Sequence, residues 1–288
     1  MGEICVVIPL KVLEASLDES ADGQRKDIFA VGAFLASGRL WKGIEKKWIA
    51  RLAQDEIAYF RATDCKSVSG PFHKLIQRHG SVKSARVVAQ KIRDDLEAIL
   101  VESQWIGFGL GIIIPDYKKV LQSVPEAKLF YADDPTVAAY QQMFFEVARS
   151  VCTNAPGHLV AYLADQSDYY GKLADAFTAV KLSSPSIGRA MATVAPFDDK
   201  QTPSLQVADL LASITKDLFI TWLSHGVPAT EPTTEKWQNH IDAFGVWDEE
   251  HMLRTVRDSV ASGLNLLLQP DNGVSRRERR RRKKGISK

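Results

Sequence analysis

Three aspartates stand where one kind of metal-dependent phosphodiester chemistry would want them. Asp18 closes the apolar run VLEASL at 12–17, Asp165 closes HLVAYLA at 158–164, and Asp209 lies in the helix-like run SLQVADLLASI at 204–214. Two carboxylates at strand ends and a third on a late helix can converge on one point of an α/β sheet, where ligands gather at strand ends. Convergent carboxylates suit hard divalent cations, because Mg²⁺ and Mn²⁺ prefer oxygen ligands. Such ions activate water and offset charge on the attacking and leaving oxygens.

The neighbours of these residues are weighed by geometry. Strand alternation sends Asp18 and Glu19 to opposite faces, so Glu19 joins the set only if the strand twists at its end. Acidic residues also favour turns for their own sake, and Asp168 is close enough to stand in for Asp165. Gln206, Asp209 and Ser213 recur at three and four residues and form a polar stripe. Leu205, Ala208, Leu211 and Ile214 fill much of the remaining circumference, the mark of a buried helix. Polar groups on such a helix are costly unless partnered, which makes Gln206 a candidate to orient a carboxylate or the substrate. The histidines show no HxH or HxxxH spacing, and no GxSxG elbow supports a Ser-His-Asp triad, although His73 follows Asp64 on a loop.

The elements that must position these residues are read from periodicity. Strands are expected at 12–17 and 28–36, joined as a hairpin through Asp22-Gly23, with an amphipathic helix over 38–54 presenting Trp41, Ile44, Trp48 and Leu52. A short strand at 58–62, a loop at 65–75 and a helix over 81–103 follow. WIGFGLGIII at 105–114 predicts a strand with one apolar face and one nearly bare glycine face, which a neighbouring element can approach closely. Its GxGxG lies inside the apolar run rather than at a strand-to-helix turn, so it is no nucleotide fingerprint. A helix at 136–152, the Asp165 strand, a helix at 169–181 and a strand at 191–196 come next. Thr202-Pro203 starts a helix running to about Leu223, and a linker over 224–234 leads to a helix at 248–263. This order predicts an α/β fold with a mixed sheet.

Composition bounds the class. With 45% hydrophobic and 25% charged residues in 288, the chain is ordinary globular material. Its net charge of +2 conceals a strong asymmetry: SRRERRRRKKGISK at 275–288 holds nine Lys and Arg against Glu278, which leaves the body at about −6. No apolar run reaches the ~18–20 residues needed to span a bilayer. Cys5, Cys65 and Cys152 are widely spaced, with no CxxC to suggest a zinc framework, and their odd count without a signal peptide leads to the expectation of a reducing cytoplasm. Disorder is expected from Gln269 onward.

LDES at 17–20, FRATDCKSVSGPF at 60–72, the strand ending in Asp165 and LQVADLLA at 205–212 together resemble a large bacterial and phage family, domain-of-unknown-function family 3800. The resemblance covers about 12–222. It implies an RNase H-like mixed sheet flanked by helices and a nuclease-type activity. Its acidic signature would fall on Asp18 with Glu19, on Asp165, and on Gln206 with Asp209, with Asp64 a candidate fourth carboxylate. Family members commonly have Gly where this chain has Ala21, and many have His where it has Arg61.

The resulting expectation is an RNase H-like domain over 1–223, a helical extension over 224–268 and a disordered basic tail over 269–288. Asp18, Asp165 and Asp209 would hold Mg²⁺ or Mn²⁺, with Asp64 or Glu19 completing the shell, and the substrate would be a nucleic acid met partly by Arg276 to Lys284. The rivals are a non-catalytic nucleic-acid or protein interaction module and a metal-dependent hydrolase of a small phosphate ester. Because the body is net acidic, deleting 275–288 should weaken nucleic-acid binding and flatten its salt dependence, as fewer counterions are released. Titrating full-length and truncated chains against one oligonucleotide across a salt series checks this. Full affinity with the full salt slope after truncation would mean that the tail is idle.

Overall fold

The computed structural model of the chain describes residues 11–21, 27–166, 169–225 and 241–261. The turn at Asp22-Gly23, Asp168, most of the 224–234 linker and the basic tail lie outside the described residues.

The predicted hairpin is present as β1 (Val12–Ala21) and β2 (Ile28–Ser37), paired antiparallel with Asp18 opposite Gly32. Ser37 ends β2 and caps α1 (Gly38–Gln54), its hydroxyl accepting from Leu40 N at 3.3 Å. Helix α1 buries the expected face of Trp41, Ile44, Trp48 and Leu52.

The region from 58 to 79 departs from expectation. No strand forms at 58–62, and the expected loop is folded into α2 (Ala62–Ser67), a 3₁₀ turn at Gly70–Phe72 and α3 (Lys74–His79). The backbone N–H of Phe60 is satisfied by Gln206 Oε1 at 3.0 Å, so this segment has no need of a ladder partner. Gly70, at φ +50°, lets the chain turn against the Asp64 carboxylate.

Helix α4 (Val82–Val101) leads to β3 (Ile106–Ile113), antiparallel to β2. Helix α5 (Ile114–Ser123) follows, an element the sequence reading passes over. Next come α6 (Pro135–Asn154), β4 (Leu159–Asp165), α7 (Tyr170–Ser183), α8 (Pro185–Gly188), β5 (Met191–Phe197) and α9 (Pro203–His225). β6 (Ile241–Trp247), also unforeseen, and α10 (Glu249–Ala261) complete the described chain.

The sheet order is β5-β4-β1-β2-β3-β6. β4 runs parallel to β1, β5 parallel to β4, and β6 parallel to β3. Helices cover both faces of this mixed sheet, which is the expected α/β architecture. One core joins α5, α6, α7 and α10 to the sheet through residues such as Leu17, Tyr117, Phe144, Tyr162 and Phe177. The other gathers α1 to α4 and α9 around Phe34, Trp41, Trp48, Phe72 and Leu210. Among the described residues no helix is long and apolar enough to cross a membrane.

Helix α9 lies on the sheet unusually closely. A Cβ at Gly32 would sit 2.4 Å from Ala212 N and 2.9 Å from Ala208 O, so here helix backbone meets strand backbone. A Cβ at Gly111 would lie 2.1 Å from the ring of Phe219, which accounts for a bare position in the glycine-alternating strand β3. Gly32→Ala must push α9 outward, and overpacking of this kind typically costs ~1–3 kcal/mol. Its melting temperature should fall by several degrees with far-UV circular dichroism unchanged; an unchanged melting temperature would mean that α9 can move freely.

Candidate active site

Parallel pairing brings two of the predicted carboxylates together. The β1–β4 register aligns Leu17 with Ala164, so one residue further on Asp18 and Asp165 stand side by side at neighbouring strand ends. Parallel partners project to the same face, and adjacent strands lie ~4.8 Å apart. Leu17 and Ala164 belong to the core on the α6 side, so Asp18 and Asp165 face α9. Gly32, the partner of Asp18 on β2, is where α9 touches the sheet, and Asp209 is next in sequence to the contacting Ala208. The three predicted aspartates therefore share one end of one face.

Two carboxylates have backbone anchors. Asp18 Oδ1 accepts from Glu19 N at 2.8 Å, and Asp209 Oδ2 accepts from Ala62 N, the first residue of α2, at 2.6 Å. A carboxylate at a helix N-terminus meets otherwise unsatisfied N–H groups and the positive end of the helix dipole.

The electrostatics identify these as a group. Asp18 is held well above the ordinary carboxylate range, by burial first and then by Asp209, Glu19 and Asp165. Asp165 is also raised, by burial and by Asp199 and Glu19, with Arg61 pulling the other way. Burial lifts Asp209 to about 6 against the opposing Ala62 N–H bond and Arg61, and Asp199 pushes in the same direction as burial. All three residues keep partial solvent contact. Desolvation and like charge both disfavour the ionised form, and their combination marks a place where a cation would be welcome.

Other predicted residues have different employment. Glu19 points to the opposite face, as alternation requires, and accepts a hydrogen bond from Tyr140 of α6. Asp64 folds the 64–70 turn, accepting from Ser69 Oγ at 2.8 Å. Gln206 is fully engaged as a tether. Its Oε1 accepts from Trp48 Nε1 and Phe60 N, both at 3.0 Å, and its Nε2 donates to Asp199 O at 3.0 Å and Lys200 O at 3.3 Å. It thus fixes the backbone that carries Asp199 rather than touching a carboxylate. Ser213 of the same stripe is buried.

Asp199 is the residue that sequence reasoning missed, and Arg61 stands in that reasoning only as a departure from the histidine of the family that the chain resembles. They form an ion pair at 2.5 Å beside the cluster, and Asp199 pushes on both Asp165 and Asp209. Asp198-Asp199 directly follow β5, whose last residue Phe197 pairs with Asp165. Among the described residues, no group of three or more His, Cys, Asp or Glu side chains is gathered in metal-ligand geometry as the side chains stand.

No family model matches the chain, and no curated protein matches it either. Among solved structures, the PCNA:RNase HII complex from Archaeoglobus fulgidus is similar at 10% identity and a TM-score of 0.40, over 92% of this chain and 96% of that one. A likeness so weak bears on neither activity nor partners.

The raised carboxyls tie stability to pH. Asp209 binds its proton more tightly in the folded state, at about 6, than in the unfolded chain near its reference value of 3.8. Between those values the native state holds more protons, so stability falls as pH rises through the window. In chelator, Asp209→Asn should therefore melt higher than the parent near neutral pH and show a flatter pH dependence between about 4 and 6. Thermal melts across that range check it, and a lower melting temperature for the variant at pH 7 would contradict it.

Proposed function

We propose that the chain is a divalent-metal-dependent nuclease related to domain-of-unknown-function family 3800, with Asp18, Asp165 and Asp209 as its catalytic carboxylates. One observation supports the reading: two adjacent strand ends and a helix seated on glycine leave three desolvated carboxyl groups at the same end of one sheet face, with Asp18 feeling the charge of both Asp165 and Asp209. An all-carboxylate oxygen set suits Mg²⁺ or Mn²⁺. When bound, such ions supply water activation and charge neutralisation for phosphodiester cleavage.

The chain's own residues prepare the place. Glu19 N–H and Ala62 N–H each hold one carboxylate oxygen of Asp18 and Asp209, which leaves Asp18 Oδ2 and Asp209 Oδ1 unbonded among the described residues. Gln206 holds Asp199 at the rim, and the partly exposed Arg61 is a guanidinium suited to phosphate oxygens. We assign the chemistry to residues 1–223, with 224–268 as an extension and 269–288 as a basic arm toward nucleic acid. A reducing cytoplasm belongs to the same reading, since Cys65 and Cys152 are unbridged.

A second reading has an observation of its own. The Ala62–Asp209 and Arg61–Asp199 contacts clamp α2 to α9 and the β5 loop, which would suit carboxylates retained for structure in a non-catalytic interaction module. Cleavage assays on labelled DNA and RNA with Mg²⁺ or Mn²⁺ separate the two. Asp18→Asn and Asp165→Asn should each lose at least about 100-fold in rate while keeping the parental circular dichroism, because such residues act as a unit. Mn²⁺ should raise the melting temperature of the parent and not of these variants. A parent that cuts nothing and gains no stability from either ion leaves the interaction module.

A further inference from the structure

The candidate site poses an electrostatic difficulty for its own substrate. Asp18, Asp165, Asp199, Asp209 and Glu19 crowd one end of the sheet, on a body of net charge about −6. A polyphosphate chain is repelled from such a place unless a cationic surface beside it supplies the attraction. From Lys66 to Arg93 the chain holds seven Lys and Arg residues and no Asp or Glu. This stretch comprises the end of α2, all of α3 and the first half of α4.

Its cations fall into two groups. Lys66 pairs with Asp217 of α9, Arg93 with Glu97 and Asp217, and Arg78 with Glu56, while Lys74 donates to Glu56 O. Lys83, Arg86 and Lys91 project outward from α4, are exposed, and make no ion pair among the described residues. With Val82 and Val87 they share one exposed face of the helix, beside Asp94, which is engaged by Gln90 at 2.8 Å. Residues 83 and 91 are two turns apart, ~12 Å along the helix axis. The buried side of the same helix, Ala85, Ala89, Ile92 and Leu96, is fixed in the core, so the cations are presented on a rigid support.

This surface belongs to the same lobe as the site. The first N–H of α2 binds Asp209, and Cys65 Sγ of α2 donates to Ala89 O of α4 at 3.3 Å. We infer that the outward face of α4, through Lys83, Arg86 and Lys91, is a nucleic-acid-binding surface that engages the phosphate backbone of a strand leading to the carboxylate site. The inference rests on the nuclease reading only for the strand's destination; the binding stands by itself. A bilayer is the poorer partner, because the apolar groups on this face are two valines, without the Trp, Phe or Leu that an interfacial helix inserts.

The test uses the full-length chain, in chelator, with a fluorescent single-stranded DNA oligonucleotide and its RNA counterpart. Lys83→Glu, Arg86→Glu and Lys91→Glu combined should weaken binding at least tenfold at moderate salt. The matching alanine triple should reduce the slope of log affinity against log salt by about two, since each phosphate contact on a single strand contributes ~0.7. Lys118→Ala with Lys119→Ala, on α5 across the sheet, should change neither quantity. Because the triple is solvent-exposed, unchanged circular dichroism and melting temperature are expected and guard against misfolding. Parental affinity and slope in both triples would overturn the inference, as would a parent that binds neither oligonucleotide. Chemistry plays no part in this assay, so an inactive parent that loses binding in the triples refutes the nuclease reading alone. A parent that cleaves, with triples that bind normally, refutes this surface alone.

Discussion

The rest of the structure depends on α9 resting directly on the sheet. Strand and helix backbones touch at Gly32, where any side chain would hold them apart. This contact sets the height of Asp209 above Asp18, and the Gln206 tether sets the rotation. The four hydrogen bonds of Gln206 join α9 to α1, to the segment before α2 and to the loop after β5. A buried amide with every polar group satisfied is rigid and specific, whereas one left half-satisfied would be costly.

That geometry imposes a conflict on the fold. Packing three carboxyls into partly desolvated positions works against stability, and the chain compensates with backbone donors and with Arg61. Natural proteins keep such unfavourable arrangements where function requires them. The sign of the compensation matters: N–H donors lower a carboxyl's pKa locally while leaving room for further cations. The neighbouring lobe shows the reverse arrangement, with Lys66 and Arg93 sharing Asp217 and with Lys83, Arg86 and Lys91 in no ion pair among the described residues.

Much of this is legible in the amino-acid sequence. Asp18 and Asp165 are recognisable as strand exits, because apolar runs end abruptly in acid. Alternation correctly sends Glu19 away from Asp18 and toward Tyr140. The glycine alternation of β3 announces a close neighbour, although nothing in it names Phe219. What stays hidden has physical causes. β6 carries Asp242 and Gly245 within seven residues, which weakens its β pattern, and its partner β3 lies more than a hundred residues earlier. The aromatic pair Tyr59-Phe60 imitates a strand, but a side-chain amide rather than a ladder satisfies the backbone there. Asp199 is discoverable in principle: once β5 is placed parallel to β4, its exit must lie at the same edge as Asp18 and Asp165. Gln206 stands out for its cost, yet which polar groups meet it depends on contacts 146 and 158 residues distant.

The position of β6 has a consequence for how the molecule is made. β3 pairs with β2 on one side and with β6 on the other, so its second edge has no partner until residue 247 has left the ribosome. During synthesis of the intervening stretch of chain, a buried strand of the finished protein is an open edge, the condition that invites pairing with a second chain. Every other residue from 107 to 111 is glycine, which is poorly disposed to strand formation on its own. The nascent protein thus leaves open, for more than a hundred residues, a strand little inclined to recruit a stranger, and the glycines that admit Phe219 in the finished fold also keep that edge quiet while it waits.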